Sequence, residues 1–234
     1  MSRFKQLAPL ALAAGLAFAG AAQAGPLLDS TMYPALVGTN AGVVNGVSFG
    51  SVGGNFGTKF ENGFGGLGVT GGASGNEIDI GQSISMSFAA QVVSDFSVAL
   101  LYNGPEFGDW REIAQVTATY ATGASQLFTL QVGTDGSLPG ALWSAAGTVT
   151  NLSLPTSSGG AAWMVSGNPF GDAMITGLSF TAVTSNLCQS QSCTNQSDYV
   201  LTSVNAVPEP GTYALMAAGL GVVGFMARRR RRPA

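Results

Sequence analysis

From residue 83 onward the chain alternates. Ser83-Ile84-Ser85-Met86-Ser87-Phe88 sets polar side chains at odd positions and apolar ones at even positions, the two-residue period of a half-buried strand. Phe96, Val98 and Leu100 mark a second strand that ends near Tyr102. Further strands are expected at 112–121, 126–132, 147–154, 161–165, 175–183 and 199–204. Between them lie Asn103-Gly104-Pro105, Thr134-Asp135-Gly136, Ser158-Gly159-Gly160 and Asn168-Pro169, whose residues favour turns. No stretch ahead of the C-terminal tail carries the 3.6-residue apolar period of a long amphipathic helix. The pattern predicts an all-β fold, an antiparallel β-sandwich of jelly-roll-like form over 76–206.

Residues 25–75 form a glycine-rich approach to that body. Fourteen glycines fall within 38–75, with Phe49, Phe56, Phe60 and Phe64 between them. Each glycine loses more backbone freedom on ordering than any other residue, so loops and short irregular strands are expected there. The glycine spacing has no fixed interval, which excludes a solenoid.

The two ends follow a different pattern. Arg3 and Lys5 precede an uncharged apolar run over 7–19, and Ala22-Gln23-Ala24 then supplies small side chains in the order of a secretory signal peptide. Cleavage by signal peptidase is expected after Ala24, leaving Gly25 first. At the other end Pro208, Glu209 and Pro210 precede 17 uncharged residues, 211–227, and the run Arg228, Arg229, Arg230, Arg231 and Arg232. As a helix those residues rise about 25 Å, enough for a thin hydrocarbon core. The arginines would stay cytoplasmic and leave the body outside.

A Pro-Glu-Pro motif, a hydrophobic helix and a basic cluster in that order resemble the PEP-CTERM sorting signal of Gram-negative bacteria, here over 207–234. The resemblance implies an exosortase as processing partner, transient residence in the inner membrane, and delivery to the cell surface or an exopolysaccharide matrix.

Charge narrows the function classes. Only 9% of residues are charged, and there is no histidine. Imidazole-dependent catalysis is excluded, as are zinc sites built on histidine; two cysteines cannot form a four-thiolate site. Between residues 25 and 206 stand eleven acids against two bases, Lys59 and Arg111, a net of −9. Such a surface repels phosphate backbones, so nucleic acid is not an expected partner. The mean hydropathy of +0.30 averages this body with the two apolar ends.

Candidate chemistry is sparse. Cys188 and Cys193 enclose four residues and, in an exported chain, read as a local disulfide. Glu77 and Asp79 share one face if that segment is extended. Glu106, Asp109 and Glu112 surround Trp110 and Arg111. No cofactor is demanded, and a structural Ca²⁺ on these carboxylates is the one candidate, without the spacing of an EF-hand loop. The same acids could form a glycosidase pair, with Trp110, Trp143 and Trp163 stacking sugars, although packing in the core is the expected place for the tryptophans. The leading expectation is a non-catalytic structural or adhesive surface protein. A carbohydrate- or Ca²⁺-binding module is the alternative, and a secreted glycoside hydrolase comes third.

Overall fold

A computed structural model describes residues 25–102, 112–133, 140–153, 161–184, 197–207 and 219–220. The signal segment through Ala24, Glu106, Asp109, Trp110, Arg111, the Cys188–Cys193 pair, Pro208, Glu209, Pro210 and the five arginines lie outside the described residues. Among the described residues no helix is long and apolar enough to cross a membrane.

The first third of the chain runs β1 (Pro26–Leu28), α1 (Tyr33–Leu36), β2 (Ala41–Val44), β3 (Val47–Val52), β4 (Phe56–Glu61) and β5 (Phe64–Val69). Then come β6 (Ser83–Gln91), β7 (Val93–Ala99), β8 (Ile113–Tyr120), β9 (Ser125–Val132) and β10 (Ala141–Trp143). The last are β11 (Thr148–Asn151), β12 (Ala162–Ser166), β13 (Ile175–Val183) and β14 (Val200–Ala206). They form two antiparallel sheets. One has the order β11-β12-β7-β14-β5-β4, with β1 also paired to β14; the other runs β10-β9-β8-β13-β6-β3-β2.

Alternation from residue 83 onward decides which face each strand buries. Ile84, Met86 and Phe88 of β6, Ala114, Val116 and Ala118 of β8, and Phe128, Leu130 and Val132 of β9 all point into one core. Phe96 of β7 joins the sheets there. Its ring lies 5.2 Å from Trp143 and 5.8 Å from Phe180, both carried by the opposite sheet, and 5.8 Å from Phe170. Edge-to-face geometry in the Trp143 and Phe180 pairs, and stacking on Phe170, add to what burial alone contributes.

The glycine-rich stretch departs from expectation. Where loops and short irregular strands were expected, it forms the four strands β2 to β5, two in each sheet. Two features explain this. Asn45-Gly46 and Asn62-Gly63 have φ of 51° and 79°, and 51° and 87°, so each pair makes the left-handed two-residue turn that a twisted hairpin requires. Glycine within β5 permits close backbone approach: a Cβ on Gly66 would stand 2.4 Å from the Leu201 carbonyl oxygen, and one on Gly68 only 2.0 Å from that of Asn76. Space around Gly63 is open. Gly63→Ala should therefore cost only the left-handed backbone penalty, about 1 kcal/mol, read as a lower urea midpoint with an unchanged slope.

Candidate functional site

Beyond β5 the chain loops through residues 70–82, with Gly71, Gly75 and Gly81 at positive φ, and recrosses the end of the sandwich. Val69 N donates to Glu77 O at 3.1 Å, and Ile78 N donates to Tyr199 O at 2.7 Å. Ile80 forms a parallel bridge with Ala182 of β13. Ile78 is driven into the core, which turns its neighbours Glu77 and Asp79 the other way, as the two-residue period demands. Neither reaches solvent: Glu77 is 1% exposed and Asp79 3%.

They meet groups from two other elements. Ser74 is the hub: its N–H donates to Asp79 Oδ1 at 3.3 Å and its hydroxyl to Asp198 Oδ2 at 2.7 Å. Its carbonyl accepts from Lys59 Nζ at 3.2 Å. Lys59, on β4, also donates to Glu77 Oε2 at 2.8 Å. Asp198, just ahead of β14, is 4% exposed. Two buried oxygens, Glu77 Oε1 and Asp79 Oδ2, have no hydrogen-bond partner among the described residues. Glycine makes room here too, since a Cβ on Gly72 would collide with Asp79 Oδ2.

Electrostatics follow from this crowding. Burial, then the nearby Asp198 charge, pushes the Glu77 carboxyl up to about 8, with Lys59 pulling the other way. Burial likewise raises Asp198, against the hydrogen bond from Ser74. Burial lowers Lys59, but its hydrogen bond and attraction to Glu77, with Glu61 and Asp198 adding, leave the ammonium above its ordinary value.

The sequence reading brought Glu77 and Asp79 together and missed Lys59, Ser74 and Asp198. Lys59 was findable in principle, because a cation almost alone among eleven acids has many carboxylates to pair with. Nothing local marks Asp198 or Ser74. Glu112 is buried as well; its Oε2 accepts from the Tyr102 amide. Among the described residues no group of three His, Cys, Asp or Glu side chains is placed to hold a metal ion, so the calcium expectation finds no ligand set there. Trp143 and Trp163 are core residues, 5% and 1% exposed, with indole N–H groups donating to Pro169 O at 3.1 Å and Leu101 O at 2.9 Å.

A second surface is notable for what it omits. On the outer face of the sheet containing β6, one cross-strand row reads Gly50, Ser85, Ser179, Thr117, Leu127. The next reads Val52, Ser83, Thr181, Gln115, Thr129. Neither row carries a charge, although an exposed sheet face ordinarily does.

The fold thus defines an all-β, two-sheet body with a buried carboxyl cluster at one end of β14. The other end of β14 leads directly into the tail. Residues 206–232 match the family model of the PEP-CTERM protein-sorting motif. The chain carries that motif, which marks it for export through the membrane, processing by an exosortase and sorting to the cell surface. Neither the curated proteins nor the solved structures include a match to the chain.

Proposed function

We propose that this chain is a non-catalytic structural or adhesive protein of the cell surface or an exopolysaccharide matrix. Signal peptidase frees the N-terminus after Ala24, the Pro208-Glu209-Pro210 motif is processed by an exosortase, and a disulfide between Cys188 and Cys193 closes a loop of the exported body. The observation that carries this reading is the junction between body and tail. β14 ends at Ala206, the residue where the sorting-motif match begins, and Val207 N still donates to Val92 O at 3.0 Å. Body and signal abut without a linker. Burial of Glu77 and Asp79, and of both described tryptophans, argues against a glycosidase cleft built on them.

The test is intact mass of the native protein from membranes and from the extracellular matrix, before and after reduction and alkylation. A matrix form that starts at Gly25 and lacks residues 211–234 is expected. A membrane species ending at Ala234, with no shorter form anywhere, would refute processing.

The uncharged hydroxyl rows favour a second reading, a module for neutral glycans. Hydroxyls donate and accept, as sugar hydroxyls do, and no fixed charge on those rows needs desolvation. Thr117→Lys together with Ser179→Glu should abolish retention on immobilised dextran if this face binds it. Equal retention of the variant would remove the face from consideration.

A further inference from the structure

Every charged side chain carried by a strand belongs to one sheet. Lys59, Glu61 and Asp95 lie on β4 and β7, whereas β10, β9, β8, β13, β6, β3 and β2 contain no Asp, Glu, Lys or Arg. Yet the chain between residues 25 and 206 holds eleven acids against two bases. Two such bodies repel each other, and the strands of this sheet add nothing to that repulsion.

The edges of the sheets differ in the same sense. A free edge is ordinarily guarded by a lysine, by being very short, or by a neighbouring element. β4 carries Lys59 and Glu61, β10 is three residues long, and β11 lies against β10 across the side of the sandwich. β2, Ala41-Gly42-Val43-Val44, has none of these guards. α1 packs on it from the core side, where a Cβ on Gly42 would stand 3.0 Å from Leu36 Cδ2.

The hairpin decides which groups β2 turns outward. Asn45-Gly46 makes a two-residue turn, and Ser51 N donates to Asn40 O at 2.9 Å. Asn40, Gly42 and Val44 therefore direct their backbone bonds to β3. Ala41 and Val43 turn their N–H and C=O groups the other way, and neither takes a partner among the described residues. Their side chains are exposed, Val43 at 70%.

We propose that β2 is a homophilic edge, along which two copies of this chain join their sheets antiparallel about a two-fold axis at Gly42. The register is self-complementary. Ala41 of each copy faces Val43 of the other and exchanges both backbone bonds with it. Gly42 meets Gly42 at the axis, a pair without hydrogen bonds whose Cα atoms approach to about 4.5 Å. Glycine puts no side chain at that closest point. Two-fold pairing uses up both edges, so the contact closes at two copies. Four residues a side make a small interface, with a Kd on the order of 0.1 mM. Sorting to the cell surface gathers copies and raises their effective concentration.

The experiment is hydrogen exchange by NMR, with sedimentation, on the full chain in detergent micelles over about two decades of concentration around that Kd. The Ala41 and Val43 amides should gain about tenfold protection together as dimer forms. Gly42, already bonded to β3, should not change, and added salt should strengthen the dimer by screening the acidic bodies. Val43→Lys is expected to abolish both dimer and protection. The lysine reduces the negative charge, so it would favour any association governed by net charge. Protection that does not depend on concentration would overturn the proposal, since the edge would then be covered within one chain. So would a dimer that persists in Val43→Lys with both amides unprotected, which would assign association to the tail. Should that variant not fold, the wild type alone decides, by whether residues 41 and 43 respond to concentration while 42 stays still.

Discussion

Gly66→Ala is expected to destabilise the folded body by about 3 kcal/mol or more, at the upper end of what overpacking costs. The new Cβ would lie 2.4 Å from the Leu201 oxygen, 2.7 Å from its carbonyl carbon and 3.1 Å from the Thr202 Cα. All three are backbone atoms, so no side-chain rotation can relieve the clash. The strand that must yield is β14, which β7 holds on its other edge. In a domain of this size the loss corresponds to a fall in melting temperature of roughly 10 °C. Gly63→Ala, in open space three residues earlier, is the control. Equal melting temperatures for the two variants would mean that β5 and β14 are not packed this closely.

Phe96→Ala should cost about as much for the opposite reason, a void instead of a clash. Phe96 is fully buried and touches Trp143, Phe170 and Phe180, and Trp143 and Phe170 pack on each other and on Phe128. Truncating a core phenylalanine typically costs 3–5 kcal/mol, about 10 °C here. The near-ultraviolet circular dichroism of Trp143 should weaken with it, since one of its two edge-to-face neighbours is gone and only Phe170 is left. Phe60→Ala removes the same atoms from a side chain that is 65% exposed. Calorimetry should place that variant within about 0.5 kcal/mol of the wild type. If the two phenylalanines cost the same, the cross-sheet cluster does not hold the sheets together.

The sequence conveyed β6, β8, β9 and β13 well because one face of each is buried and the other wetter. β13 falls on the expected residues, 175–183, and β6 and β9 begin within a residue of expectation. Alternation fails where burial is not one-sided. In β5 the last four residues, Leu67 to Val69 among them, are all buried or covered, and glycine at 65, 66 and 68 removes the side chains whose alternation would have been counted. Two Asn-Gly pairs were the legible sign of hairpins in that stretch, and their meaning depends on backbone twist instead of polarity. β10 is only three residues long, too short to show any period. The site was half legible for a related reason. Glu77 and Asp79 are two apart, so local geometry pairs them; Asp198 reaches the same place only because β14 lies beside β5, a contact between distant parts of the chain.

The pairing of β1 with β14 also imposes an order of assembly. Pro26 faces Asn205 and Leu28 faces Val204, so the first strand can dock only on the last. β14 separates β5 from β7, and its sheet has no middle until Ala206 has emerged. Contacts between such distant parts of the chain form slowly, and this sheet cannot be completed before β14 is available. A product cut short anywhere before residue 200 lacks the strand on which three others rest, and never acquires the mature shape.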